Sequence, residues 1–192
     1  MWQTMRIIGG RRLMPALVAA LLAAPPAFAV APRLALQSPD VAPGAAIALD
    51  HVYDESGCHG GNNSPALSWT HPPTGTRSFA VLMLDPDAPG GVWWHWAVFD
   101  IPAAVSSLQT GAGDPARHLL PAGAIQVHND FGSLGYAGPC PPPGPPHHYQ
   151  LLLYALRVPS LGLDPGASAA QVAASAQANA LAEAEIVGLY GR

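Results

Sequence analysis

The chain has 192 residues, with eight basic and twelve acidic side chains, a formal charge of −4 and no lysine at all. Only 10% of the residues are charged, while glycine and proline number 20 and 22, so the chain is rich in turns and poor in basic surface. That balance excludes the basic stripe needed to hold a nucleic-acid backbone and argues against attraction to an anionic membrane.

Residues 1–29 stand apart. Arg6, Arg11 and Arg12 come before the apolar run 13–24, and the segment ends in Ala27-Phe28-Ala29. A basic start, a short apolar centre and an A-x-A end are the three parts of a secretory signal peptide. Residues 1–29 are therefore expected to be a leader, 30–192 a single domain, and the location periplasmic or secreted. The Arg11-Arg12 pair matches twin-arginine export poorly, and no cysteine stands at the junction to carry a lipid. No later run is long and apolar enough to span a bilayer. Without the leader, five basic residues face twelve acidic ones, a formal charge of −7. About 160 residues suffice for one core that buries roughly two-thirds of the unfolded-chain surface.

Apolar or alternating runs near 45–52, 66–69, 78–84, 92–99, 124–128 and 149–158 are separated by Pro/Gly turns. They predict a mainly β protein, an antiparallel β-sandwich with Greek-key-like connections. The run 78–84 is too short for a helix and fits a buried strand, which places Asp85 at a strand end. Pro86 and Pro89 fix φ on either side, so the Asp85 and Asp87 carboxylates have few backbone states; Asp87 could equally cap the turn. After Gly90-Gly91 the chain returns through 92–99. Strict alternation there predicts Trp94 and Trp96 on one face and Trp93 and His95 on the other, one face filling the core and the other lining a cavity.

A second segment, Gly135-Tyr136-Ala137-Gly138-Pro139-Cys140-Pro141-Pro142, runs into His147-His148-Tyr149. Six prolines among the eight residues 139–146 would suit a polyproline ligand, but their position before a strand predicts a rigid loop inside a domain. Gly138 permits close backbone approach to a ligand, and His147 and Tyr149, two apart, point the same way. Cys58 and Cys140 are the only cysteines. An even pair in an exported chain favours a disulfide, with two buried thiols as the alternative. Farther on, Ser168 with Gln171 forms a capping box, and the alanine-rich stretch that follows predicts one C-terminal helix running to about Val187.

Together, Asp85-Pro86-Asp87-Ala88-Pro89 with Trp93-Trp94-His95-Trp96, and the proline loop with His147-His148-Tyr149, resemble the paired signature of the phosphatidylethanolamine-binding protein family, in its bacterial Raf-kinase-inhibitor-like branch. Residues 57–69 and Asn129-Asp130-Phe131-Gly132 resemble the approaches to the two signatures. The resemblance implies that fold, and a pocket for phosphate-type anions or phospholipid headgroups without turnover, with no cofactor. It also implies two walls: Asp85, Pro89, Trp93 and His95 on one side, and Gly138, Pro141, Pro142, His147 and Tyr149 on the other, joined by Tyr190 near the C-terminus. Where the family reads His-Arg-Tyr this chain has His147-His148-Tyr149, which removes a fixed positive charge.

The chemistry expected of such a pocket is binding. Backbone donors near Gly138 and imidazole donors from His95 and His147 would take phosphate oxygens, while Asp85 orients an imidazole or accepts from an ammonium headgroup. Affinity would then rise as pH falls through the histidine range. Three rival readings differ in class. Docking on a partner protein, as a protease or kinase inhibitor, is also allowed by the resemblance. Two histidines with two carboxylates could ligate a divalent metal, although no His-Glu-x-x-His pattern is present. A serine hydrolase lacks its Gly-x-Ser-x-Gly.

Overall fold

The computed structural model describes residues 33–192, together with Met1, Trp2 and Thr4; the leader expected over 1–29 otherwise lies outside the described residues. In chain order the elements are β1 (Ala35–Gln37), β2 (Leu67–Thr70), β3 (Ser78–Asp85), β4 (Trp93–Pro102), β5 (Ser107–Leu108), β6 (Ile125–Gln126), β7 (His147–Leu156), α1 (Ala169–Asn179) and β8 (Ala180–Tyr190). Strands β1-β2-β5 form a small antiparallel sheet. The main sheet has the order β6-β4-β3-β7-β8, and its pairs are antiparallel throughout.

Every residue of β3 is buried, because this central strand is covered on both faces. Phe79, Val81 and Met83 face the small sheet and pack with Trp69, Leu67, Trp96 and Tyr149. Ala80, Leu82 and Leu84 face the other way, onto Ala169, Val172 and Ala176 of α1. The small side chains of α1 let it lie close to the sheet. Its start is fixed by the capping box: the Gln171 N–H donates to Ser168 Oγ (3.2 Å) and the Ser168 N–H to Gln171 Oε1 (2.8 Å). The mainly β sandwich with one helix is therefore as expected from the turns and alternation. Among the described residues, no helix is long and apolar enough to cross a membrane.

Three local expectations are corrected. The helix stops at Asn179, not near Val187, and the chain continues directly as β8, paired with β7 from Ala180 to Tyr190. Ala182 and Ala184 are half-buried while Leu181, Glu183 and Glu185 are exposed, a period of two that alanine's helix propensity conceals. Arg157 holds the junction: its backbone N–H donates to the Asn179 carbonyl (3.0 Å) and Nη2 to that of Ala180 (2.9 Å). Residues 45–52 do not form a strand. They pass the end of β8 with a few backbone bonds, such as Ile47 N–H to the Leu189 carbonyl (2.8 Å), and then turn through a 3-10 segment, Leu49–His51.

The third correction concerns the tryptophans. The pairing of β3 with β4 shifts register so that Met83 faces Trp96 while Leu84 faces Trp94, which leaves His95 as the extra residue of a bulge. A bulge breaks strict alternation. Trp96 accordingly packs with Met83 and Tyr149, whereas Trp94 packs on the helix side, so the two do not share a face. His95 stays on the side of Trp93, as alternation predicts, and shares the cavity with His147 and Tyr149.

Candidate functional site

Asp85, Ala88, Pro89, Trp93, His95, Phe131, Cys140, Pro141, Pro142, His147 and Tyr149 line one cavity of about 300 Å³. Three strand ends build it: the C-terminus of β3 brings Asp85, the bulged start of β4 brings Trp93 and His95, and the start of β7 brings His147 and Tyr149. Eight of the ten residues expected to bind ligand thus surround a single space.

Asp85 is buried and both its oxygens are engaged. Oδ1 accepts the Asp87 N–H (2.9 Å), closing the turn that Pro86 favours, and Oδ2 accepts from Nδ1 of His147 (2.7 Å). Asp85 therefore fixes the tautomer and orientation of His147, leaving Nε2 as that ring's free nitrogen. His95 is held in the same way by a different partner: its Nδ1 lies 2.7 Å from the Ala137 carbonyl, which can only accept, so the proton is on Nδ1. His95 is 2% exposed. Burial lowers its pKa from the usual 6.5, with the Ala137 carbonyl and the Asp85 charge opposing. Its ring stands edge-on to Tyr149 and Phe131, at 5.2 and 5.7 Å between centroids.

This arrangement differs from an expected donor pair. A neutral His95 with Nδ1–H committed to the backbone offers an acceptor at Nε2, not a donor. Nor is the Gly138 N–H free, because it donates to Asn62 Oδ1 (2.9 Å). Gly138 is needed for a close approach of another kind: an added Cβ would run into the His51 carbonyl and the Tyr53 N–H. Tyr190 pairs with His147 in the β7–β8 register and packs beneath the proline loop, outside the cavity lining.

Two donors of the lining lack partners. Trp93 Nε1 and the Tyr149 hydroxyl are buried with no hydrogen bond among the described residues. Burial first, then the charge and the close approach of the Asp85 carboxylate, push the Tyr149 phenol up and keep it a donor at ordinary pH, with Asp85 the acceptor beside it although the two fall short of a well-formed hydrogen bond. An orphaned buried polar group costs about 1–3 kcal/mol, a state shared by Trp69 Nε1 outside the cavity lining.

Phe131 is the lining residue that the strand and motif patterns miss, because it belongs to a loop. Asn129 shapes that loop, accepting from the Phe131 N–H (3.0 Å) and donating to Ser133 Oγ (2.8 Å) and the Gly135 carbonyl (3.0 Å). Asp130 then ties it to β4 by accepting the Trp94 N–H (2.8 Å). The Phe131 ring lands between Tyr53 (4.4 Å) and Trp93 (5.2 Å). The sequence marks Asn129-Asp130-Phe131-Gly132 only by its resemblance to the approach to the second signature, which gives Phe131 no place in the pocket.

At the rim, Cys140 is bonded to Cys58 (Cα–Cα 5.9 Å). His148, which stands where the family reads arginine, meets Asp87 Oδ2 at 2.8 Å through both its backbone N–H and Nδ1. Among the described residues no group of three or more His, Cys, Asp and Glu side chains is placed to hold a metal ion.

Fold and sequence agree on a class. Residues 37–191 match the family model described as phosphatidylethanolamine-binding protein, and the chain belongs to that family. Among its relatives, Escherichia coli YbcL is 46% identical over 155 residues, covering 80% of this chain and 85% of YbcL. The YbcL crystal structure, described as a new member of the mammalian PEBP family, superposes with a TM-score of 0.81 over 84% of this chain and 99% of that one. A putative lipoprotein of Mycobacterium tuberculosis, LppC, is 39% identical over 166 residues, covering 86% of this chain and 75% of its own length.

Proposed function

We propose that this is an exported binding protein whose pocket holds a phosphate-type anion, either a soluble phosphate ester or a phospholipid headgroup, and releases it unchanged. One observation carries the reading: two imidazoles fixed through Nδ1 and two unpartnered donors, Trp93 Nε1 and Tyr149 OH, belong to one aromatic-walled cavity. An anion with several acceptor oxygens satisfies the donors, and His147, once protonated, adds a charge-assisted bond backed by Asp85. What the lining side chains are already doing supports binding without turnover. Asp85 is doubly engaged, Cys140 is in a disulfide and Tyr149 is held as a phenol, so none is an activated nucleophile. The leader pattern, the disulfide and the lipoprotein relative all speak for an oxidising compartment outside the cytoplasm.

Calorimetric titration of the full chain with phosphoethanolamine and inorganic phosphate tests the proposal. Saturable binding is expected, weakened at least tenfold by His147→Ala, with no phosphate released from phosphoethanolamine over hours. Absence of binding by folded wild type overturns the reading and favours protein docking instead.

A further inference from the structure

Phosphate groups differ in whether they can carry a proton. A phosphate monoester has a second pKa of about 6 and exchanges between dianion and monoanion near neutrality. Phosphodiesters, which include intact phospholipids, and sulfate esters stay fully ionised there and have no O–H to donate. A pocket that offers only donors treats all of these alike, whereas one that also offers an acceptor does not.

This pocket offers an acceptor. The Ala137 carbonyl lies 2.7 Å from Nδ1 of His95 and can only accept, so it fixes the ring proton there and leaves Nε2 as a lone pair. Ala137 is outside the cavity lining and His95 is within it, so Nε2 is the ring nitrogen left to meet a ligand. We propose, resting on the anion-binding reading above, that the site selects phosphate monoesters over phosphodiesters and sulfate esters. The phosphate is bound as its monoanion, with the P–OH hydrogen donated to His95 Nε2 and the remaining oxygens facing Tyr149, Trp93 and His147.

The surroundings of His95 favour this state. Asp85 from the end of β3, Asp130 from the loop before β7, and His147 and Tyr149 from β7 are the charged and titratable groups around it; Trp93 and Phe131 complete the wall. The two carboxylates act to raise the imidazole pKa, yet burial outweighs them and the ring stays neutral. A fully ionised tetrahedral anion would then set an oxygen lone pair against the Nε2 lone pair, unless His95 took up a proton against its burial. A monoester brings the proton itself. Above the ligand's pKa that proton is drawn from solvent, so this contact by itself consumes one proton and costs about tenfold in affinity per pH unit; below it, the dependence on this contact flattens.

Calorimetry of the full chain between pH 5.5 and 8 in buffers of different ionisation enthalpy reads both affinity and proton uptake. Methyl phosphate is compared with methyl sulfate, which has the same shape and charge as the phosphate monoanion but lacks its hydrogen. Phosphoethanolamine is compared with glycerophosphoethanolamine, the diester headgroup of a phospholipid. The expected result is at least tenfold tighter binding of each monoester at pH 7. Proton uptake at pH 8 should fall by close to one in His95→Gln, whose amide can donate to a dianion. Equal affinity for monoester, diester and sulfate in wild type overturns the selectivity while leaving an anion site in place. Binding of none of the four overturns the anion site as well. If His95→Gln does not fold, the wild-type comparison alone decides.

Discussion

The two walls of the pocket are secured by different means. The proline loop is tied to parts of the chain far away in sequence: Cys140 to Cys58, the Pro139 carbonyl to the Tyr53 N–H (3.2 Å), and the Pro141 carbonyl to Nε of Arg192 (2.6 Å). Arg192 also donates through Nη1 to the Gly57 carbonyl (3.0 Å) and accepts the Gly144 N–H (2.9 Å). The opposite turn, 86–92, is held by two short-range contacts, Asp87 N–H to Asp85 and Gly91 N–H to the Ala88 carbonyl (3.2 Å), and by one exposed tie from farther along the chain, the Asp87–His148 pair. Gly90 and Gly91 have φ of 93° and 127° and nothing within 4 Å of where a side chain would begin. One wall is over-determined and the other is set by local turn chemistry, so changes to the first should be felt as global stability and changes to the second as local fit.

The largest effect is expected from the disulfide. It joins residues 82 apart, and in the chain-entropy model a loop of that length contributes about 4–5 kcal/mol by restricting the unfolded chain. That is a large share of a typical domain stability. The Cys58→Ser/Cys140→Ser pair should lose about that much in urea unfolding, and the proline wall should lose its hold on ligand with it. A loss below about 1 kcal/mol would break the comparison, because the wall would then be equally secure without its covalent tie.

Arg192 comes next. It bridges Gly57 and Pro141, the same two loops that the disulfide joins, so Arg192→Ala removes charged donors from two carbonyls at a cost of about 1–2 kcal/mol. Sharing a task predicts coupling: the substitution should cost more in the disulfide-free protein, by about 0.5 kcal/mol or more in a double-mutant cycle. Strict additivity would mean that the two ties act on separate regions.

The same contrast explains what could be read in advance. Proline and glycine restrict the backbone wherever they stand, so both rigid turns, the buried run into Asp85 and the His147–Tyr149 pairing of side chains were legible from residue types alone. Features set by long-range register were not. Nothing between Trp93 and Trp96 announces that β4 gains a residue at His95; that is decided by how it pairs with β3. Alanines 180, 182 and 184 have helical propensity, and only pairing with β7 makes them strand. Phe131 reaches the cavity through the Asn129 turn, and Arg192 reaches the proline loop from the chain end, neither of which leaves a periodic pattern. The family resemblance located the site, but the roles within it, above all an acceptor at His95, needed the hydrogen bonds.

The smallest effect belongs to the exposed turn and sharpens the comparison from the other side. The His148 side chain first, and its backbone N–H second, hold the Asp87 carboxyl below its ordinary value of 3.8. A carboxyl with a lowered folded pKa contributes stability that is present above pH 3.8 and lost as pH falls through the folded value. Because both partners are solvent-exposed, that contribution is under ~1 kcal/mol and weakens with salt. Asp87→Asn should therefore leave neutral-pH stability nearly unchanged and remove a small part of the acid limb, while amide exchange in residues 88–92 speeds up. A destabilisation comparable with that of Arg192→Ala, measured at neutral pH and moderate salt, would show that the turn is braced as firmly as the proline loop.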